Sequence, residues 1–249
     1  MLKIRNTFAI LLAVVAFAGM RPQAKAQSTI ATDLDGASSF AVLSTTVTFG
    51  SGNAITGDIG YSTITGYPSS LIGVDRGNNS LTQAAQTALS TAFTYGNSLT
   101  PTTLTGNSAT PGVYSYSAEL PNTLTLSGSG VYIFQIGTLN TATHSVVTLT
   151  GGAQANNVFW VVGTATLGGE SAFEGTILAS STITVGEDTT INGELLGTTV
   201  TLGANDTVIT AVPEPADTSL LIAGFVGLIV GVQRMRRHYS ERKPGFGDC

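Results

Sequence analysis

Between Gln27 and Ala211 the sequence has no lysine and no cysteine, a single arginine, Arg76, and a single histidine, His144. Against Arg76 stand Asp33, Asp35, Asp58, Asp75, Glu119, Glu170, Glu174, Glu187, Asp188, Glu194 and Asp206, one positive against eleven negative charges, a formal −10. Phosphate binding needs clustered Lys and Arg, so nucleic acid is excluded as a partner. Anionic lipid is disfavoured for the same reason. The lone cysteine, Cys249, is the last residue, which excludes disulfides and thiol chemistry from this stretch. Acid–base machinery is equally scarce. Solenoid lyases and glycosidases need carboxylates paired across a cleft, or a base to take a proton. His144 stands in a Thr/Ser-rich loop, and nothing in the spacing of Glu174 and Glu194 fixes a working distance. The expectation is a protein without catalysis, cofactor or resident metal.

The missing basic residues are in the two ends. Lys3 and Arg5 precede the apolar run from Phe8 to Met20, and Ala24-Lys25-Ala26 offers an A-x-A cleavage pattern. Residues 1–26 therefore read as a secretory signal peptide. At the other end Val212, Pro213, Glu214 and Pro215 precede an apolar run from Leu220 to Val232 and then Arg234, Arg236 and Arg237. This arrangement resembles the PEP-type C-terminal sorting signal of Gram-negative bacteria. The resemblance implies a partner in a sorting protease or transpeptidase of the inner membrane, a transient C-terminal membrane segment, and a destination at the cell surface or outside the cell. The run is short for a permanent span, which takes about 20 apolar residues. The chain thus divides into 1–26, a domain over 27–211, and a sorting segment over 212–249.

What the domain has in plenty is threonine, 36 of its 185 residues. Thr favours strands, and frequent Gly marks corners. Three segments repeat. Thr164-Ala-Thr166-Leu-Gly168, Thr182-Ile-Thr184-Val-Gly186 and Thr199-Val-Thr201-Leu-Gly203 place Leu167, Val185 and Leu202 at spacings of 18 and 17. Such a period suits one coil of a β-solenoid with three short strands and three corners. A stack of hairpins would not return the same residue to the same place in successive segments. Alternation turns Ala165, Leu167, Ile183, Val185, Val200 and Leu202 inward. Thr164, Thr166, Thr182, Thr184, Thr199 and Thr201 then form two outward ladders. Rungs lie about 4.8 Å apart and columns about 6.7 Å apart.

Other runs do not alternate. Val131–Phe134, Val158–Val162 and Thr176–Ala179 are nearly continuous apolar stretches, which implies burial on both faces. Ser80 to Tyr95 supplies the cover. Ser80 reads as N-cap with Gln83 three residues on, and Gly96 as the stop. Leu81, Ala84, Ala85, Ala88, Leu89, Ala92 and Phe93 recur at helical spacing.

Further segments carry a family likeness. Gly36–Leu43, Ile55–Gly60, Thr110–Tyr114, Ile133–Gly137, Gly151–Trp160 and Phe173–Gly175 together resemble the microbial ice-binding (antifreeze) family over roughly Asp35 to Thr210. The resemblance implies an all-β, irregular right-handed β-solenoid of triangular cross-section with one helix along one side. It also implies an activity of adsorbing to ice and inhibiting growth or recrystallisation, with an ice surface as the partner. Some members carry a Thr-small-x-Thr/Asn element ahead of the positions held here by Phe173 and Ile191. This chain departs from it with Gly169–Ala172, Glu187–Thr190 and Ala204–Thr207. Carboxylates hold tight hydration shells that fit ice poorly, so the Thr164/Thr182/Thr199 side is the expected surface.

Two other readings of the same residues stand beside it. Thr is a good strand former on any exposed face. Glu170, Asp188 and Asn205 fall in register, with Asp206 next to them, and stacked oxygens could serve Ca²⁺. That reading gives a Ca-assisted adhesin or extracellular-matrix component, with extracellular polysaccharide as a partner. The plainer account of those residues is a solvated acidic edge.

Overall fold

The computed structural model describes residues 30, 33–34, 36–116, 120 and 122–211. The leader, the motif Val212–Pro215 and the apolar run from Leu220 to Val232 lie outside the described residues. Among those that are described, no helix is long and apolar enough to cross a membrane.

The strands stack in parallel, each on the next coil, into a three-sided solenoid with a helix against one side. Hairpin pairing is ruled out where it was the rival: Thr166 pairs with Thr184, and Thr184 with Thr201, both in parallel register. The first side includes Phe40–Leu43, Asp58–Gly60, Thr176–Ala179, Leu195–Leu196 and the leading halves of Tyr132–Asn140 and Val158–Leu167. The trailing halves of those two long strands turn onto the second side, which continues through Thr182–Val185, Thr199–Leu202, Thr46–Phe49 and Thr63–Thr65. The third side runs from Ser108–Ala109 through Ala172–Glu174, Thr190–Asn192, Thr207–Ile209 and Ala54–Thr56 to Ser70–Ile72.

Chain order and stacking order differ. The first two coils, Phe40 to Ile72, occupy one end of the stack. The helix Ser80–Ser98 then carries the chain back along the first side. Its 19 residues span about 28 Å, close to six coil rises. From Thr102 onward the coils build toward the starting end, until Thr199–Leu202 pairs with Thr46–Phe49 and Thr207–Ile209 pairs with Ala54–Thr56.

Two apolar layers hold the body together. Inside the solenoid, Tyr114, Phe134 and Trp160 stand in register and stack, with ring centroids 5.7 and 4.3 Å apart. Phe173 closes the series 4.9 Å from Trp160, whose Nε1 donates to the Glu174 carbonyl at 2.9 Å. Between the first side and the helix lies the second layer: Phe159, Val161, Leu178 and Leu196 meet Ala85, Leu89 and Ala92. Both faces of Val158–Val162 are therefore covered, as its unbroken apolar run requires.

The helix differs in detail from its sequence reading. Its N-cap is Asn79, whose Oδ1 accepts the Thr82 amide at 2.9 Å; Ser80 is already helical. A carboxamide reaching the third amide caps as a Ser hydroxyl would. The buried stripe is Thr82, Ala85, Leu89, Ala92 and Gly96, while Leu81 and Ala84 face solvent. Gly96 lies inside the helix because it is a contact, not a stop: a Cβ there would meet Val161 Cγ2 at 2.7 Å. The C-terminal turn is satisfied instead by Gln135, whose Nε2 donates to the carbonyls of Gly96 and Leu99 at 2.7 and 2.8 Å.

Candidate functional site

On the second side the strands turn two apolar columns inward and their threonines outward. Ala165, Ile183, Val200 and Val47 are at most 1 % exposed, as are Leu139 and Leu167. The outward residues form two columns in continuous register. One is Thr138, Thr164, Thr182, Thr199, Thr46 and Thr63; the other is Asn140, Thr166, Thr184, Thr201, Thr48 and Thr65. Asn140 alone interrupts the threonine. The six threonines expected from the repeats are thus brought together and form the middle rungs. Sequence reasoning missed the outer rungs. Thr46-Val-Thr48 and Thr63-Ile-Thr65 carry the same Thr-apolar-Thr signal, but nothing in their position announces that they stack beyond the last coil.

No charged side chain stands in either column. β-branching restricts each Thr side chain at χ1, and the backbone beneath the middle rungs is held by parallel ladders on both neighbours. The result is a flat field of methyls and hydroxyls with little freedom left to lose on contact.

The corner between the second and third sides is built differently. His144, Glu170, Asp188 and Asn205 all have left-handed backbone, with φ of 61°, 56°, 58° and 59°, and Gly52 continues them at 84°. Their side chains pair along the edge. His144 Nε2 lies 2.9 Å from Glu170 Oε2, and Asn205 Nδ2 donates to Asp188 Oδ1 at 3.2 Å. The next position in each coil turns inward. Ser171 Oγ accepts the Ser145 amide at 3.1 Å, Asp206 Oδ1 the Thr189 amide at 2.9 Å, and Asn53 Oδ1 the Asp206 amide at 2.8 Å. Asp206 is fully buried, and burial pushes its carboxyl up to about 6 against the amides that oppose the shift. The four residues considered for Ca²⁺ are accordingly not gathered. Glu170, Asp188 and Asn205 line the exposed edge, each tied to a neighbour, while Asp206 serves backbone amides inside.

Glu174 and Glu194 each have a hydrogen-bond partner of their own. Glu174 lies on the third side and accepts from Asn192 Nδ2 at 2.8 Å. Glu194 is buried against the Thr176 hydroxyl, and burial raises it to about 7. A groove of about 260 Å³ beside the helix is lined by Thr45, Gln86, Ser90, Phe93, Ser180 and Thr198, among others, with no acidic or basic side chain. The third side is mixed: Ala54, Ala172, Val146, Ile209, Asn192 and Glu174 interrupt its threonines.

Residues 38–208 match the ice-binding-like family. The chain belongs to that family. An ice-binding protein of Nostoc sp. (strain HG1) is 40% identical over 198 residues, covering 72% of each chain. One from Flavobacterium frigoris (strain PS1) is 37% identical over 176 residues, 58% of this chain and 64% of that one. Among solved structures, an ice-binding protein from the Antarctic ascomycete Antarctomyces psychrotrophicus shares the fold with a TM-score of 0.67 at 38% identity. That likeness covers 72% of this chain and 98% of the other. Among the described residues, the two Thr columns are the most regular outward array on the solenoid.

Proposed function

We propose that this protein adsorbs to ice through the second side, with Thr164, Thr166, Thr182, Thr184, Thr199 and Thr201 at its centre, and so inhibits ice growth or recrystallisation. The observation that carries this is the uninterrupted register of two outward Thr columns on a side the helix leaves bare. Ice is a periodic array of water. A surface that recognises it needs hydroxyls at fixed intervals and apolar groups between them, so that disordered water is excluded and ordered water retained. Spacings of about 4.8 and 6.7 Å repeat over six rungs here. The mode is adsorption, without a chemical step.

The same reading places the protein outside the cytoplasm. The leader over 1–26 and the sorting motif Val212–Pro215 with its apolar and basic followers support export and handling by an inner-membrane sorting protease or transpeptidase. Intact mass of the protein recovered from the host surface tests it. Loss of residues 1–26 and of most residues after Pro215 is expected, and Cys249 in the surface form would instead mean a lasting anchor.

The test of the face is a pair of bulky substitutions. Thr184→Tyr, at the centre of the columns, is expected to abolish ice shaping and recrystallisation inhibition with little change in melting temperature. An exposed strand substitution usually costs under about 0.5 kcal/mol. Thr190→Tyr, on the third side, is expected to leave activity intact. The reverse result would move the site to the third side, and an inactive unmutated chain would remove the proposal.

A further inference from the structure

The groove beside the helix lies where the first side turns onto the second, next to the Thr columns but apart from them. Its buried lining is Leu89 from the helix with Ala179 and Gly197 from two consecutive coils. One wall is the corner itself. Leu178, Leu196 and Leu43 pair in register, so Ser180, Thr198 and Thr45, each two residues further on, hold equivalent places in three consecutive coils. All three are exposed, and their hydroxyls recur with the coil rise of about 4.8 Å. The other wall is helical: Gln86, Ser90 and Phe93 follow one another at spacings that share a face. Gln86 is fixed in place, its Nε2 donating to the Ser44 carbonyl at 3.1 Å. Thr87, Thr91 and Thr94 turn their hydroxyls back to carbonyls of their own helix. Among the described residues Ser90 makes no such bond, and its hydroxyl is left for the groove.

We infer that this groove binds a neutral glycan, seating a sugar ring between Phe93 and the hydroxyls of Ser180, Thr198 and Thr45. A sugar ring has a C–H face and a rim of hydroxyls. The face suits the half-buried Phe93 ring. Each rim hydroxyl both donates and accepts, as do the Ser and Thr hydroxyls and the Gln86 carboxamide that line the groove. A few placed polar groups on an apolar base are what a small-ligand site requires. Other ligand classes fit poorly. The groove has no cation to meet a phosphate or a uronate, and the domain around it carries a formal −10. A peptide added as a strand needs a free sheet edge. The strands that lead into this corner, Thr176–Ala179, Leu195–Leu196 and Phe40–Leu43, are each paired on both sides.

Affinity electrophoresis of the full chain tests this, in native gels that carry dextran, soluble starch, mixed-linkage β-glucan or galactomannan, with alginate as the anionic control. Expected is slowed migration in at least one neutral glycan and none in alginate. Ser90→Tyr and Ser180→Tyr fill the groove from opposite walls. Each should weaken the retardation by about tenfold in affinity or more. Both positions are exposed, so the melting temperature of each variant should stay near that of the unmutated chain. Thr184→Tyr, outside the groove, should be retarded like the unmutated chain. Free migration in all the neutral glycans, equal retardation in alginate, or retardation untouched by both groove variants overturns the inference. The result is independent of ice: a chain that is slowed by a neutral glycan in this pattern but does not shape ice keeps the glycan site and loses the adsorption reading.

Discussion

Asn53 Oδ1 accepts the backbone amide of Asp206 at 2.8 Å, across 153 residues of sequence. Asp206 Oδ1 does the same for Thr189 one coil further on. The two side chains hold equivalent places in one buried ladder, yet one is an amide and the other an acid. Asn53 also donates its Nδ2 to the Gly50 carbonyl at 3.1 Å, whereas an ionised Asp206 has no proton to donate at that place. Asp206→Asn keeps the acceptor and supplies a donor aimed three residues back, as Asn53 does. Expected is a gain on the order of 1–2 kcal/mol at pH 8, read as a melting temperature several degrees higher. Because burial raises the Asp206 carboxyl to about 6, from 3.8 unfolded, the advantage should vanish below pH 4, where the acid is protonated in both states.

Glu194 gives the fold a second pH dependence of the same sign. Its folded pKa of about 7 lies above the unfolded value of 4.5, so the native state holds the proton more tightly. Stability is then greatest below pH 4.5 and declines as pH rises through 7, by about 3 kcal/mol for a shift of that size. Denaturant melts of Glu194→Gln between pH 4 and 9 should show this decline reduced, with the Asp206 contribution remaining.

Gly96 trades helix propensity for approach. Ala is ordinarily better than Gly inside a helix by about 1 kcal/mol. Gly96→Ala should nevertheless lower the melting temperature, because the added methyl meets Val161 Cγ2 at 2.7 Å. Pairing it with Val161→Ala should bring the cost of the methyl close to zero, a coupling that a double-mutant cycle reads directly.

The outer rungs extend the proposed face beyond the repeats. Thr48→Tyr, two coils from Thr184 in the stack but 136 positions earlier in sequence, should abolish ice shaping as Thr184→Tyr does. If Thr48→Tyr leaves activity whole, the binding plane is confined to the C-terminal coils.

The sequence carried the solenoid, the helix and its partner strands because both periodicities are local. A return of Leu167, Val185 and Leu202 every 17 or 18 residues declares a coil, and Val158–Val162 declares a covered strand. What stayed hidden is non-local. Thr46 and Thr63 look like ordinary strand residues until Thr46 is seen to pair with Thr199. The corner acids were legible only in part, for a related reason. Glu170, Asp188 and Asn205 share a register with Asp206 beside them, but a left-handed residue reverses the direction of the next side chain, and Asp206 enters the core. Gly96 misled because a helical glycine can mark a stop or a close contact, and only Val161 distinguishes them.

The docking of the first coils onto the last has a kinetic meaning. Most solenoids can assemble like a zipper, each repeat settling on the one before. Here the coils from Phe40 to Ile72 emerge first, yet the side that Thr46–Phe49 and Ala54–Thr56 present is a vacancy until Thr199–Leu202 and Thr207–Ile209 arrive. A chain delivered N-terminus first, from a ribosome or through a channel, cannot complete its native state until nearly all of it has passed. Folding is therefore all-or-none and governed by contacts of very long sequence separation, which slows it. During that interval the unpaired strand edges of the early coils are open to wrong partners, so the final dozen residues of the domain act as the latch for the whole.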